Sequence, residues 1–263
     1  MDPILRHIAA CNNAVLPGGR TPLHLRQDGE NGAAIGWVPA ALEAPLLAGG
    51  GVRTADAIGI DAAGLESVAR GLSASGLFRW RGEDFDVRGD PDGPVLARLD
   101  RGALPSFGIR AVGVHLNGLV EREDGPWLWV GRRAADKLLD PGKLDHVVAG
   151  GVPAGLTPRE TLLKEAAEEA GLAPEVVGRA RAVSVLDYAM DRPEGLRRDR
   201  LHCYDLVLDE SVRPVPCDGE VSGFELWPLP AVLDRVRRTD DFKFNVNLVL
   251  IDLFRRRGLL PPA

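Results

Sequence analysis

The chain has 263 residues, 45% of them hydrophobic and 27% charged, with a net charge of −6. That balance supports a proper core and one and a half to two domains. It argues against a basic surface for nucleic acid or anionic membrane. No run of eighteen uncharged apolar residues is available to span a bilayer, and Met1-Asp2-Pro3-Ile4-Leu5-Arg6-His7 has no basic-then-apolar leader. Cys11, Cys203 and Cys217 are odd in number and lack metal-ligand spacing, so a cytoplasmic protein with reduced thiols is the expectation.

In chain order, a short apolar helix near Asp2–Cys11 precedes an extended stretch, Thr21–Gln27. A polar turn over 28–32 follows, then a strand, Ala33–Val38, stopped by Pro39. A helix over about Asp61–Ser75 starts at an Asp N-cap and aligns Leu65, Val68, Ala69 and Leu72 on one stripe. Asp84–Arg88 and Val95–Leu99 read as strands about a Gly- and Pro-rich loop. Pro105 and Gly108 mark Leu104–Gly108 as the expected boundary. This predicts a small α+β domain over residues 1–105 and a second domain over 106–263.

Beyond the boundary, Ile109–Glu121 and Trp127–Arg132 read as strands around the turn 123–126. Asp145–Ala149 is a short strand ending in Gly150-Gly151, and a helix follows over about Pro158–Ala170. Strands near Ala180–Met190 and His202–Leu208 flank the turn 192–195. Glu220–Trp227 is a further strand, and helices near Leu229–Arg238 and Lys243–Arg257 complete the pattern. Strands with helices on either side predict an α/β (α+β) sandwich around a mixed sheet.

The helix after the glycine pair is the best specified. Thr157 is an N-cap with Glu160 three residues on, Pro158 takes the first helical position, and Gly171 suits a left-handed C-terminal residue. At about 100° per residue, Glu165, Glu168 and Glu169 fall on one face. Leu163, Ala166, Ala167 and Ala170 fall on the other, predicted to pack on the sheet. Clustered like charges repel by about 0.2–0.5 kcal/mol per neighbouring pair, and a divalent cation turns that repulsion into binding. Glycine backbone lets a carbonyl approach such an ion closely.

The run Lys164-Glu165-Ala166-Ala167-Glu168-Glu169-Ala170-Gly171-Leu172 resembles the second half of a Nudix box. It departs from that pattern in three places. Lys164 replaces the usual Arg, Leu156 stands where an upstream Glu is expected, and the Gly151–Leu156 loop is one residue short. These departures resemble a Nudix subfamily with its own N-terminal region, found alone, in plastid proteins, or fused to thiamine pyrophosphokinase. The likeness continues through 137–151, Tyr204-Asp205-Leu206, Asp218-Gly219-Glu220-Val221, Phe242-Lys243-Phe244-Asn245 and Leu250-Ile251-Asp252.

The resemblance implies Mg2+, with Mn2+ as a substitute, held by Glu165, Glu168, Glu169 and the backbone at Gly150. It implies that Glu165 binds metal or activates water, and that Glu220 brings a further catalytic carboxylate. Arg132, Lys137, Lys143 and Lys243 are the expected phosphate-facing cations. Trp129 and Tyr188 are expected in the core rather than stacked on a ring, and His115 and His202 are given no role. The implied activity is cleavage of a phosphoanhydride bond in a small-molecule diphosphate, thiamine diphosphate or a damaged analogue. A broader nucleoside-diphosphate-linked pyrophosphatase is the alternative, and a non-catalytic ligand-binding module a third reading. A homodimer is compatible with each; nucleic-acid or membrane partners are not expected.

Overall fold

The computed structural model describes residues 2–137 and 139–262. Met1, Leu138 and Ala263, which fall inside ranges read above, lie outside the described residues. Helix α1 (Leu5–Cys11) is followed by strands β1 (Thr21–Gln27) and β2 (Glu30–Val38). Asp28 and Gly29 join them with positive φ at both positions, 51° and 84°, which suits the twist of an antiparallel hairpin. A single 3₁₀ turn leads to α2 (Glu43–Ala48), then β3 (Val52–Arg53), β4 (Ile58–Ile60) and α3 (Ala62–Ala74). The strands form one sheet in the order β2-β1-β4-β3, with β4 parallel to β1. As expected, the Asp61 side chain caps α3 by accepting from Gly64 N–H, and Leu65, Val68 and Ala69 are buried.

Strands β5 (Asp84–Val87) and β6 (Ala97–Asp100) form a separate antiparallel hairpin. Its base is fixed by Asp100, a fully buried carboxylate that accepts from the backbone N–H groups of Arg81, Gly82, Glu83 and Gly102. Buried polar groups need such partners.

The expected boundary at 104–108 is a buried helical turn, α4 (Leu104–Phe107), rather than a linker. Leu104 and Phe107 belong to the same apolar cluster as Leu23, Ile35 and Phe85, and Gly108 ends the turn at φ 58°. Proline served as a first-turn helix residue here, which is compatible with its missing N–H.

Strands β7 (Arg110–Arg122), β8 (Gly125–Arg133), β9 (Leu144–Asp145) and β10 (Val148–Gly151) lead to α5 (Pro158–Ala170) and α6 (Pro174–Val177). Then come β11 (Arg181–Arg192), β12 (Gly195–Val207), β13 (Val221–Pro228), α7 (Leu229–Arg238) and α8 (Val246–Arg256). The mixed sheet runs β11-β12-β7-β8-β13, with β12 parallel to β7, β10 paired to β7 and β9 to β8. Alternation along β7 splits the core. Val114, Leu116 and Val120 face Leu162, Ala166 and Ala170 of α5, whereas Leu119 joins Val232, Val236, Leu250 and Phe254 of α7 and α8. This is the predicted sandwich, helices on both faces of a mixed sheet.

One segment departs from the 1–105 grouping. Ile4 and Cys11 bury against α7 and α8 clusters, and Arg6 donates to the carbonyls of Val236, Arg237 and Thr239. The first helix therefore packs with the last two, not with the first sheet.

Candidate active site

Helix α5 forms for the reasons the sequence provides. Thr157 and Glu160 complete a capping box, and Gly171 closes the helix at φ 61°. Its buried stripe is rotated from the expected one. Thr161, Leu162, Ala166, Glu169 and Ala170 are buried, while Ala167 is exposed. The three glutamates consequently occupy three environments, with side-chain exposure of 16% at Glu165 and 51% at Glu168, and Glu169 only 6% exposed as a residue.

Glu169 Oε2 accepts from Ala149 N–H at 3.1 Å, which ties α5 to β10. Burial nevertheless pushes its carboxyl up to about 8; the Ala149 N–H opposes this, and the charges of Asp145, Glu165 and Glu220 reinforce it. Burial also raises Glu165, against the nearby Lys164 charge. Lys164 Nζ lies 2.8 Å from Glu168 and 3.3 Å from Glu165. Gly150 lies in β10 rather than in a turn, and it is there for space. A Cβ on it would come within 2.6 Å of Glu165 Cγ and 2.8 Å of Oε2. Glu165, Glu169 and the Gly150 backbone are thus gathered at one place. The oxygens fit a hard divalent cation, which prefers clustered carboxylate and carbonyl donors.

The other expected residues are placed unevenly. Glu220 lies one residue before β13 rather than in it, and its carbonyl accepts from Ala134 N–H at 2.9 Å. Its carboxylate pairs with Lys137, so each occupies the other. Lys243 precedes α8 instead of opening it. Residues 242–243 run beside β9, with Lys243 N–H donating to Leu144 at 2.9 Å. Its ammonium is 12% exposed, stands 3.8 Å from Asp145, and is lowered by burial, while the charges of Asp145 and Glu169 oppose that shift. Arg132 donates to the Gly142 carbonyl at 3.2 Å. The Lys143 charge is felt at His7 of α1. Trp129 and Tyr188 are core residues, 5% and 4% exposed.

A second cluster escaped the sequence reading. His115, Asp145 and His146 present donor atoms within 4.8 Å of one another, all buried. The two Nδ1 atoms are 3.0 Å apart, and His146 N–H donates to Asp145 Oδ1 at 2.9 Å. Arg133 donates to Asp145 Oδ2 at 2.8 Å. Burial holds His115 well below its usual range and His146 at about 4. Asp145 sits at about 2: burial would raise it, but Lys243, His115 and Arg133 outweigh that. A divalent ion here would meet Arg133 and Lys243 at a carboxylate they already neutralise. The cluster reads as a buried hydrogen-bond network. Its partners come from separate strands, and the only local signal was a polar Asp145-His146 pair inside an apolar run.

Fold and site together define an α+β protein whose glutamate-bearing helix follows a Gly-Gly strand end. The Nudix domain family matches residues 112–247. Nudix hydrolase 20, chloroplastic, of Arabidopsis thaliana is 42% identical over 182 residues, covering 69% of this chain and 49% of the plant protein. Nudix hydrolase 24, chloroplastic, of the same species is also 42% identical over 182 residues, covering 69% and 50%. Among solved structures, DR0079 from Deinococcus radiodurans matches with a TM-score of 0.51 at 22% identity, over 66% of this chain and 100% of that one, a likeness of fold. The chain belongs to the Nudix family. It spans about half the length of these two curated relatives.

Proposed function

We propose that the chain hydrolyses a phosphoanhydride bond in a small organic diphosphate, using Mg2+ or Mn2+ held by Glu165, Glu168, Glu169 and the Gly150 carbonyl. The observation that carries this reading is Glu169. Its carboxylate is buried, is tied to β10 through Ala149 N–H, and feels the charges of Glu165 and Glu220; burial pushes it up to about 8, so a bound cation would favour its ionised form near neutral pH. When bound, such an ion polarises the phosphoryl group and makes its water a nucleophile near neutral pH. Glu165, pressed against Gly150, would orient or deprotonate the attacking water. Glu220 extends the acidic group, and Lys137, exchanging Glu220 for substrate, meets a phosphate. Lys243 would have to leave Asp145, 3.8 Å away, to meet a phosphate. Arg132 and Lys143 are the outer candidates.

Thiamine diphosphate or a damaged analogue is the substrate class we favour, on the ordered matches with the subfamily from 137 to 252. The β5–β6 hairpin borders the loop before α5, which supports a pocket formed between two parts of the chain. The proposal extends to a cytoplasmic location and a homodimer, which fractionation and light scattering check. The decisive experiment is a phosphate-release screen with Mg2+ over thiamine diphosphate analogues, nucleoside triphosphates, nucleotide sugars and dinucleotides. The highest kcat/KM is expected with a thiamine compound. A nucleotide in that position moves the protein to the broader pyrophosphatase class, and metal binding without turnover makes it a ligand-binding module.

A further inference from the structure

Residues 152–157 join β10 to α5 and so set how the Gly150 backbone stands against the glutamates. Leu156, six positions after Gly150, stands where the Nudix box pattern has a glutamate. A carboxylate reaches the loop from elsewhere. Ala154 N–H donates to the Asp84 carbonyl at 2.7 Å, and Gly155 N–H donates to Asp86 Oδ2 at 3.4 Å. Between those two positions, Phe85 lays its ring against Gly151, where a Cβ would come within 2.4 Å of the ring. Gly155 takes φ 83°, which orients its N–H without a side-chain penalty.

The hairpin making these contacts is itself held firmly. Asp86 is paired with Arg88 at 3.4 Å and with Arg98 at 3.5 Å, and its side chain is 15% exposed. Asp100 fixes the hairpin base from below. Three successive residues of β5 therefore hold the loop at Ala154 and Gly155 and the end of β10 at Gly151.

We propose that the β5–β6 hairpin braces the cation-binding loop, with Asp86 standing in for the glutamate that the box pattern carries at Leu156. The inference rests on the reading of α5 as a metal site. Asp86 and Phe85 are positioning residues, since neither touches the reacting atoms. Their contribution is to order residues 150–155 before the ion arrives, which removes an ordering cost from binding. Metal affinity in the Nudix domain is then set partly by the segment that precedes it.

The test is Mn2+ titration of the intact chain by electron paramagnetic resonance, with amide hydrogen exchange of the metal-free protein over 150–157. Asp86→Ala is expected to weaken Mn2+ binding by about tenfold, as loss of a ligand-orienting partner commonly does, and to speed exchange in the loop. Asp86→Asn keeps an oxygen that accepts from Gly155 N–H, so it is expected to stay within about twofold of wild type. Equal affinity and equal exchange in Asp86→Ala overturn the brace. Should Asp86→Ala fail to fold, wild type alone decides: protected Ala154 and Gly155 amides support the brace, and exchange at free-loop rates overturns it. A wild-type chain that binds no Mn2+ defeats the metal reading of α5, and the exchange data from the same sample still decide the brace.

Discussion

The glutamates of α5 and the His115–Asp145–His146 cluster each gather three ligating side chains, but their charge surroundings are opposite. At α5, Glu169 is buried against other carboxylates, with one backbone N–H in its favour. In the cluster, Asp145 is met by Arg133 and Lys243, and both imidazoles are held neutral. Ligand type alone does not make a cation site. What decides is whether the fold has left negative charge unbalanced.

That contrast breaks most directly under chelation. Exhaustive removal of divalent ions is expected to abolish phosphate release, and Mg2+ or Mn2+ to restore it. Full activity after chelation would end the metal mechanism. Next in size, Glu169→Gln keeps shape and helix propensity while removing a ligand charge, and turnover is expected to fall by at least about a hundredfold. At or below pH 4.5, where Glu169 is protonated folded or unfolded, the melting temperature of the metal-free protein should change little. Near-normal turnover in this variant would return the glutamates to ordinary helix surface.

His146→Gln probes the other region. Losing the ring that meets His115 costs about 1–3 kcal/mol, a melting shift of a few degrees, with Mn2+ affinity unchanged. A matching loss of metal binding would make the cluster a second cation site.

The smallest effect is one of sign. His146 sits at about 4 when folded, below its ordinary 6.5, so its contribution to stability is whole above 6.5 and is lost as pH falls toward 4. Glu169, at about 8 instead of 4.5, contributes fully below 4.5 and loses that contribution as pH rises toward 8. In metal-free protein, Glu169→Gln should therefore gain stability over wild type as pH climbs from 4.5 toward 8, and the deficit of His146→Gln should widen as pH climbs from 4 to 6.5. Parallel pH curves for both variants would contradict the assigned environments.

Much of this was legible in the sequence for physical reasons. Helix α5 carries its own start and stop in Thr157, Glu160, Pro158 and Gly171, so local chemistry fixed its limits to the residue. Strand β1 and helix α7 were equally clear. The burial of Glu169 was not, because a helical wheel treats Glu as outward-facing and cannot see Ala149 waiting on a neighbouring strand. Nor was the pairing of Lys137 with Glu220, or the strand-like course of Lys243, since both depend on residues far along the chain. At 104–108, Pro and Gly mark linkers and helix ends alike, and the burial of Phe107 is what shows a helical turn there.

Helix α1 has a consequence for how the chain is made. Arg6 bonds a carbonyl 231 residues away, and Asp2 pairs with Arg237 at 2.9 Å. On the ribosome α1 emerges more than two hundred residues before α7 and α8, so Ile4 and Cys11 stay without their apolar partners through most of synthesis. Joining ends that far apart costs entropy that grows only slowly with length. The cost falls mainly on timing: α1 cannot dock until α7 and α8 are made, and Ile4 waits without its apolar partners until then.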